Sequence, residues 1–260
     1  MTKPMYPIYH YMPQHFPNGE VNPEWFELRK GKITGSKAQT IGNHGTGKTF
    51  SIRKNNNKTF LKSFDTEKPA QLYAEELRKE NPKHKYTVEE SEKKSGLLAY
   101  IEEVVAEKHA IRENEHFINK DMARGIKYEQ DAIFEYELDY GEVQSVGFVE
   151  YNEFVGVSPD GLKGDDGIIE VKCPNRVNFC GLKYYGKPID TKYIWQMQMG
   201  MYVCQRSYAD FIAYNRDYKN PLYVKRIFPD PEKFEKLKAG FEMGEKLIKE
   251  IEAKWRSCAT

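Results

Sequence analysis

The stretch from Val157 to Pro174 constrains the fold of this chain more than any other part of its sequence. Its letters, VSPDGLKGDDGIIEVKCP, place two apolar runs on either side of a turn rich in glycine and aspartate. This pattern predicts a β-hairpin with a loop of a few residues. Because alternate residues of a strand share a face, Asp160, Glu170 and Lys172 are predicted to converge near the open end of the hairpin.

Two carboxylates and an ammonium group in one place suit a hard divalent cation. Mg²⁺ takes oxygen ligands and keeps several waters, so Asp160, Glu170 and a substrate phosphate are enough to hold it. Lys172, with a pKa lowered near the site, would then hold or deprotonate the attacking water. A solvated hairpin is the alternative, because short strings of this kind also arise by chance.

Composition predicts one globular domain spanning residues 1–260. The chain is 39% hydrophobic and 30% charged, with no flexible linker and no apolar run long enough to cross a membrane. The N-terminal residues lack the apolar core of a secretory signal, so a cytoplasmic location is expected. The four cysteines show no zinc-ligand spacing, which favours reduced thiols.

The net charge of +1 hides an uneven distribution. Residues 121–170 contain thirteen acidic and three basic residues, whereas residues 172–226 contain ten basic and three acidic residues. An acidic half suits metal ions, and a basic half interleaved with tyrosines suits a phosphate backbone. Solvated faces explain such runs equally well, so this signal is weak by itself.

Two segments near the N-terminus predict helix starts. Asn22 is a helix N-cap before Pro23 and Glu24, and Gly31 ends the helix that follows. Ser36 is predicted to cap a second helix.

The string GNHGTGKT at 42–49 matches the P-loop pattern letter for letter, yet nucleotide binding is not predicted there. A P-loop follows a buried strand and opens a helix. Here the preceding residues are mostly polar, and residues 51–57 are predicted to form a polar turn. The region at about 42–120 is interpreted as a charged, helical insertion that serves as a lid, an oligomer contact or a duplex guide.

Two further helices each carry one polar residue of interest. Residues 122–134 have an apolar stripe at helical spacing, and Glu129 lies near its edge, where a carboxylate needs a partner. Residues 190–203 predict a helix with a dense face of methionines and aromatic residues that also includes Gln196. Two strands and a long amphipathic helix are expected to complete the chain.

Four motifs occur in the order found in the phage lambda-type exonucleases, the viral recombinase nucleases of the PD-(D/E)xK superfamily. They are WFELRKGKITGS at 25–36, GIKYEQDA at 125–132, the Asp160 to Lys172 hairpin, and YIWQMQ at 193–198. The chain resembles that family over most of its length apart from the inserted region. The resemblance implies an α/β fold with a restriction-endonuclease-like core, in which helices flank a mixed central β-sheet.

The resemblance also implies a Mg²⁺-dependent exonuclease that degrades linear double-stranded DNA in the 5′-to-3′ direction, for phage-type recombination by single-strand annealing. Mn²⁺ is expected to substitute for Mg²⁺. One ion would be held by three groups, namely Asp160, Glu170 and the carbonyl of Val171. Glu129 would complete this site or recruit a second ion.

The remaining motif residues are assigned to the substrate. Gln196 would hydrogen-bond Lys172, the water or a phosphate oxygen. Arg29, Ser36 and Ser158 would bind the 5′-phosphate of the DNA end, because a guanidinium forks onto phosphate and hydroxyl groups add donors. The family further implies a homotrimeric ring around the duplex, a single-strand-annealing recombinase as partner, and a bacterial or phage-infected host cell.

Two alternatives stay open. Another PD-(D/E)xK nuclease, either an endonuclease or a CRISPR-adaptation-type nuclease, would share the hairpin motif. The adaptation nucleases usually carry a tight cysteine group for an iron–sulfur cluster, and the cysteines at 173, 180, 204 and 258 lack that grouping. A non-catalytic DNA-end-binding module would lack an acid or the lysine, and none is missing.

Overall fold

The structure is a computed structural model that describes residues 7–16, 20–44, 48–54, 59–64, 67–92, 96–110 and 120–258. The helices are α1 (Pro23–Arg29), α2 (Ala38–Gly42), α3 (Glu67–Glu80), α4 (Gly96–His109), α5 (Lys120–Tyr140), α6 (Arg176–Tyr184), α7 (Thr191–Cys204) and α8 (Pro231–Cys258). The strands are β1 (Ile8–His10), β2 (Lys48–Lys54), β3 (Thr59–Phe64), β4 (Tyr86–Glu92), β5 (Phe148–Glu150), β6 (Gly156–Val157), β7 (Gly161–Lys163), β8 (Gly167–Lys172), β9 (Tyr208–Tyr214) and β10 (Leu222–Ile227). The chain divides into two compact units, one of Met1–Asn43 with Ala99–Thr260 and one of His44–Leu98.

The first unit is built on a four-stranded sheet in the order β10-β9-β8-β7. β8 runs parallel to β9, whereas the outer strands β10 and β7 are antiparallel to their neighbours. The central strand β8 is buried along almost its whole length, as expected for an apolar run covered on both faces. The predicted mixed sheet flanked by helices is therefore confirmed.

Helices α5 and α7 cover the two faces of β8. Tyr136 of α5 packs with Ile169 and Val171. Gly200 of α7 approaches Ile168 so closely that a Cβ at this glycine would lie 2.6 Å from the isoleucine Cδ1. Because side chains alternate along a strand, the even-numbered charged residues of β8 lie on the side of α7.

The predicted hairpin is present as β7 and β8, joined by a turn in which Gly164 has a φ of 54°. Gly161 pairs with Ile169, which places Asp160 next to Glu170 across the hairpin. The apolar run before Asp160 was predicted to be part of the first hairpin strand, and this is wrong. That run forms β6, which pairs with β5 in a separate sheet of order β1-β5-β6, because the proline that follows it has no N–H to continue a ladder.

A parallel bridge joins the N-terminal segment to this second sheet. Ile33 N–H donates to Phe154 O at 2.7 Å, and Gly156 N–H donates to Ile33 O at 3.1 Å. Trp25 of α1 packs against Phe148 of β5. These long-range contacts bring α1 and the residues after it to the strand that leads into the hairpin.

Helix α1 begins and ends as predicted, but Ser36 is not a helix cap. Asn22 accepts a hydrogen bond from Glu24 N–H at 3.0 Å, and Gly31 has a φ of 69°. The chain tightens into a 3-10 turn at Gly35–Lys37 before α2 begins, so Ser36 lies inside that turn instead of ahead of the helix. Its hydroxyl is left for another role.

The second unit contains the three-stranded sheet β3-β2-β4 and helix α3. Phe50, Ile52 and Tyr86 of the sheet pack with Ala70 and Ala74 of the helix. The prediction of a helical insertion is therefore wrong in part, because β2 and β4 each have only two alternating apolar residues, with charged residues beside them. That the whole chain is one nuclease domain stays a prediction.

The flanks of the P-loop-like string support the prediction that it does not bind nucleotide. Helix α2 ends at Gly42 and strand β2 begins at Lys48, which is the reverse of the strand-then-helix order of a P-loop. The predicted polar turn is wrong for residues 51–54, which belong to β2; the string's residues 45–47 and the turn's residues 55–57 lie outside the described ranges. In the described part of the chain, no helix is long and apolar enough to cross a membrane.

Candidate active site

Most of the predicted site residues line one cavity of about 190 Å³ in the first unit. The predicted residues that border it are Arg29, Ser36, Ser158, Asp160, Glu170 and Gln196. They come from α1, the 3-10 turn, the β6–β7 connection, β8 and α7, so elements distant in sequence form a shared wall. The structure thus brings two of the predicted metal residues to the predicted phosphate residues, whereas Glu129, Val171 and Lys172 do not border this cavity.

The two hairpin carboxylates are positioned by the backbone of β7 and β8. Val171 N–H donates to Asp160 Oδ2 at 2.6 Å, which anchors that carboxylate across the hairpin. Glu170 is only 3% exposed and points toward α7, which carries Gln196 on its cavity side. The two acids are therefore held by the strands themselves, with little conformational freedom to lose on binding a ligand.

Lys172 contacts two of the groups predicted as metal ligands, the Glu170 carboxylate and the Val171 carbonyl. Its Nζ forms an ion pair with Glu170 Oε1 and donates to Val171 O at 2.8 Å. It also lies 5.2 Å from the centre of the Tyr193 ring, in a cation–π contact. The ammonium group thus occupies the position of a cation between these oxygens.

The predicted lowering of the lysine pKa is wrong in this structure. Burial does lower the pKa of Lys172, but the negative charges of Glu170 and Asp160 raise it by more, so that the net change is upward. A charged neighbour within contact distance outweighs desolvation. Lys172 is consequently an ammonium group, suited to stabilising negative charge.

The carboxyl groups around this lysine have raised pKa values. Burial raises the pKa of Glu170 to about 7, and Asp160 adds to the increase. Burial also raises the pKa of Asp160. On α5, burial raises the pKa of Glu129 to about 8, with further contributions from Asp160 and Glu170. The three carboxyl groups therefore repel one another, and a cation would relieve that repulsion.

The donor set fits a hard divalent cation, although it is not a preassembled cluster. Among the described residues, no three acidic, histidine or cysteine side chains lie close enough to hold a metal. Glu170 Oε1 is nevertheless buried and, despite its ion pair, accepts no hydrogen bond of acceptable geometry. The Lys172 ammonium group balances the charge of this oxygen, and a bound divalent cation would balance it in the same way.

Arg29 forms a cationic wall of the same cavity. Its guanidinium carbon lies 4.6 Å from the centre of the Trp25 ring, and burial lowers its pKa. Within the described residues, the guanidinium group has no hydrogen bond or ion pair of its own. Ser36 Oγ lies 3.4 Å from Thr34 Oγ1, and Ser158 Oγ accepts a hydrogen bond from Trp25 Nε1 at 2.9 Å. A partly buried guanidinium with unused donors and two nearby hydroxyls suits an anion.

Sequence reasoning missed two supporting residues. Trp25 lies one helical turn before Arg29, and this spacing of four residues could have revealed the contact between them. Tyr193 belongs to the same string as Gln196 but was not assigned a role. Cys173, by contrast, is buried as predicted, and burial raises the pKa of its thiol to about 12, which disfavours a nucleophile.

Comparison with known proteins agrees with this architecture. Residues 83–207 match the family model of the YqaJ-like viral recombinase domain. An alkaline exonuclease from Laribacter hongkongensis, solved alone and in complex with dAMP, is similar with a TM-score of 0.63 and 24% sequence identity, over 92% of this chain and 98% of that chain. A phage related exonuclease from Haemophilus somnus 129PT is similar with a TM-score of 0.55 and 16% identity, over 88% of this chain and 98% of that chain. No curated protein is a significant match to the sequence.

These similarities confirm the restriction-endonuclease-like fold and the resemblance to the viral recombinase nucleases. The matched residues 83–207 include Glu129, the hairpin and Gln196. Arg29 and Ser36 lie outside the match, so their assignment depends on the geometry of the cavity.

Proposed function

We propose that the protein is a divalent-metal-dependent exonuclease that degrades linear double-stranded DNA from 5′ ends, and so produces single strands for annealing in recombination. The observation that carries the proposal is the shared cavity, which Asp160 and Glu170 border together with the Arg29 guanidinium, while Lys172 forms an ion pair with Glu170. A nuclease of this kind needs the carboxylates and the lysine, and recognition of a phosphorylated end needs a cationic group such as the guanidinium. The match to a viral recombinase domain and the fold shared with two exonucleases support the same activity.

The metal residues in this proposal are those predicted from the sequence. Asp160, Glu170 and the carbonyl of Val171 would hold Mg²⁺, with Mn²⁺ as a substitute, and Glu129 would complete the site or recruit a second ion. When bound, such an ion polarises the scissile phosphate and lowers the pKa of a bound water. The hairpin keeps these ligands in place, because Asp160 is anchored to the strand backbone.

Lys172 and Gln196 act on the reacting groups in this scheme. Because the pKa of Lys172 is raised, its Nζ keeps a proton and stabilises negative charge on the phosphate while it orients the water. The Gln196 amide can donate to a phosphate oxygen or accept from the water, and it borders the cavity from α7. The water's proton passes to solvent or to a carboxylate.

The end preference would come from three side chains on the other wall of the cavity. Arg29, Ser36 and Ser158 would bind the terminal 5′-phosphate, which carries more negative charge than an internal phosphodiester. A volume of about 190 Å³ leaves room for a terminal phosphate beside the scissile one. A homotrimeric ring around the duplex, a single-strand-annealing partner and a cytoplasmic location belong to the proposal through family resemblance alone.

The deciding experiment is digestion of linear and circular forms of one duplex in Mg²⁺. We expect loss of the linear DNA from its 5′ ends, no cutting of the closed circle, and no activity in Asp160→Asn. Asp165→Asn, which changes an exposed acid in the turn of the same hairpin, is the matched control and should behave like the native protein. Cutting of the circle would identify an endonuclease instead, and binding of ends without digestion would identify a DNA-end-binding module.

A further inference from the structure

Trp25 contacts two of the proposed phosphate-binding residues at once. Its indole N–H is shared between Gly147 O and Ser158 Oγ, each at 2.9 Å. The face of its ring lies 4.6 Å from the Arg29 guanidinium carbon. The side chain is only 7% exposed, yet it borders the cavity with both partners.

The indole hydrogen bond determines what Ser158 can offer to a ligand. A hydroxyl group has one hydrogen to donate and two lone pairs to accept with. Because one lone pair of Ser158 Oγ already accepts from Trp25, the hydroxyl hydrogen is free to turn into the cavity. Ser158 then favours an oxygen that only accepts, such as that of an ionised phosphate.

The ring contact determines the orientation of Arg29. A guanidinium group stacks through its flat face and donates hydrogen bonds through its edges. The guanidinium carbon lies over the Trp25 ring and the side chain borders the cavity, so the ring limits how far the group can move while its N–H donors can reach an anion there. The stack spans one turn of α1, which is anchored by the Asn22 cap and by packing of Trp25 on Phe148.

We propose that Trp25 is a positioning residue that sets the preference of this cavity for a phosphorylated 5′ end. It fixes the guanidinium group and the serine hydroxyl as donors, and it does not itself contact the scissile bond. This inference rests on the proposed function, because it assumes that the cavity binds a DNA end. It adds a specificity determinant that acts through Arg29 and Ser158.

Substitution of Trp25 separates its two contacts. Trp25→Phe keeps a flat ring for Arg29 and removes the N–H, whereas Trp25→Leu removes both. The measured quantity is the ratio of digestion rates on duplexes with 5′-phosphate and 5′-hydroxyl ends. We expect Trp25→Phe to lower the ratio about fivefold, as for the loss of one net hydrogen bond, and Trp25→Leu to lower it further. The rate on 5′-hydroxyl ends should change much less.

A double-mutant cycle with Ser158→Ala removes the acceptor of the hydrogen bond from the Trp25 indole N–H. If the indole N–H acts through Ser158, adding Trp25→Phe to Ser158→Ala should change the ratio little further. Trp195→Phe is the matched control, because Trp195 is a 5% exposed tryptophan that does not border this cavity. Thermal unfolding of each variant identifies loss of structure, and Ser158→Ala keeps the test possible if a Trp25 variant fails to fold.

The outcomes distinguish this inference from the proposed function. Anisotropy of labelled phosphorylated and unphosphorylated duplexes in EDTA provides a binding ratio that needs no catalysis. A native protein without preference for phosphorylated ends in both assays overturns the end-binding assignment, and the inference with it. If the native protein has that preference and Trp25→Phe leaves it unchanged, or slows digestion of both kinds of end equally, only the role of Trp25 is overturned.

Discussion

Lys172 and a divalent cation compete for the same oxygens, which leads to a prediction about metal affinity. The ammonium group pairs with Glu170 Oε1 and donates to Val171 O at 2.8 Å, so it must move before either atom binds a metal. Lys172→Met keeps a flexible side chain of similar length and removes the charge. We therefore expect the variant to bind a divalent cation more tightly while it loses nuclease activity.

The size of the effect follows from the contacts that the metal must displace. A hydrogen bond to a charged group contributes about 1.5–3 kcal/mol, and about 1.4 kcal/mol corresponds to a factor of ten in affinity. Loss of the lysine contacts should thus tighten metal binding by roughly tenfold to a hundredfold. Removal of a positive charge next to two buried carboxylates acts in the same direction.

Isothermal titration calorimetry with Mn²⁺ and Ca²⁺ above pH 8 measures this affinity without turnover. Lys192→Met is the matched control, because Lys192 also lies over the Tyr193 ring, at 4.7 Å, but is exposed and pairs with Asp190. Its affinity for metal should equal that of the native protein. Unchanged or weaker metal binding by Lys172→Met would refute the competition.

Three further predictions follow from the site. Burial raises the pKa of Glu129 from its ordinary value of 4.5 to about 8, so between these pH values the native state holds a proton that the unfolded state has lost. The metal-free protein should lose stability as pH rises through that window, and Glu129→Gln should reduce the loss. Urea unfolding in EDTA at pH 5, 7 and 9 measures the free energy of unfolding, and the same pH dependence in both proteins would contradict the assignment. Arg29→Ala should remove a preference of about ten- to a hundredfold for 5′-phosphorylated ends while it slows digestion of 5′-hydroxyl ends much less, whereas equal slowing on both ends would mean a structural role. Lys48→Ala should leave nuclease activity within a few fold, and the native protein should hydrolyse no ATP; ATP hydrolysis abolished by that substitution would restore the P-loop interpretation.

Local sequence patterns were enough to predict the hairpin turn and the convergence of the three residues proposed as catalytic. Asp160, Glu170 and Lys172 lie within thirteen residues, so strand alternation and one turn were enough to bring them together. Helices α1, α5 and α7 were predicted from caps and apolar spacing in the same way. Each of these inferences depends on neighbours close in sequence.

The other features of the site depend on contacts between residues that are distant in the sequence. The Ile33 bridge to β6 brings Arg29 and Ser36 to the hairpin wall, which no local period predicts. The raised pKa of Lys172 follows from burial set against the charges of Glu170 and Asp160, a balance of distances that a sequence does not contain. The strands of the second unit were missed because their apolar residues are few and become a core only when α3 packs over them. Long-range packing and desolvation therefore set the electrostatics of the site, whereas local periodicity set its backbone.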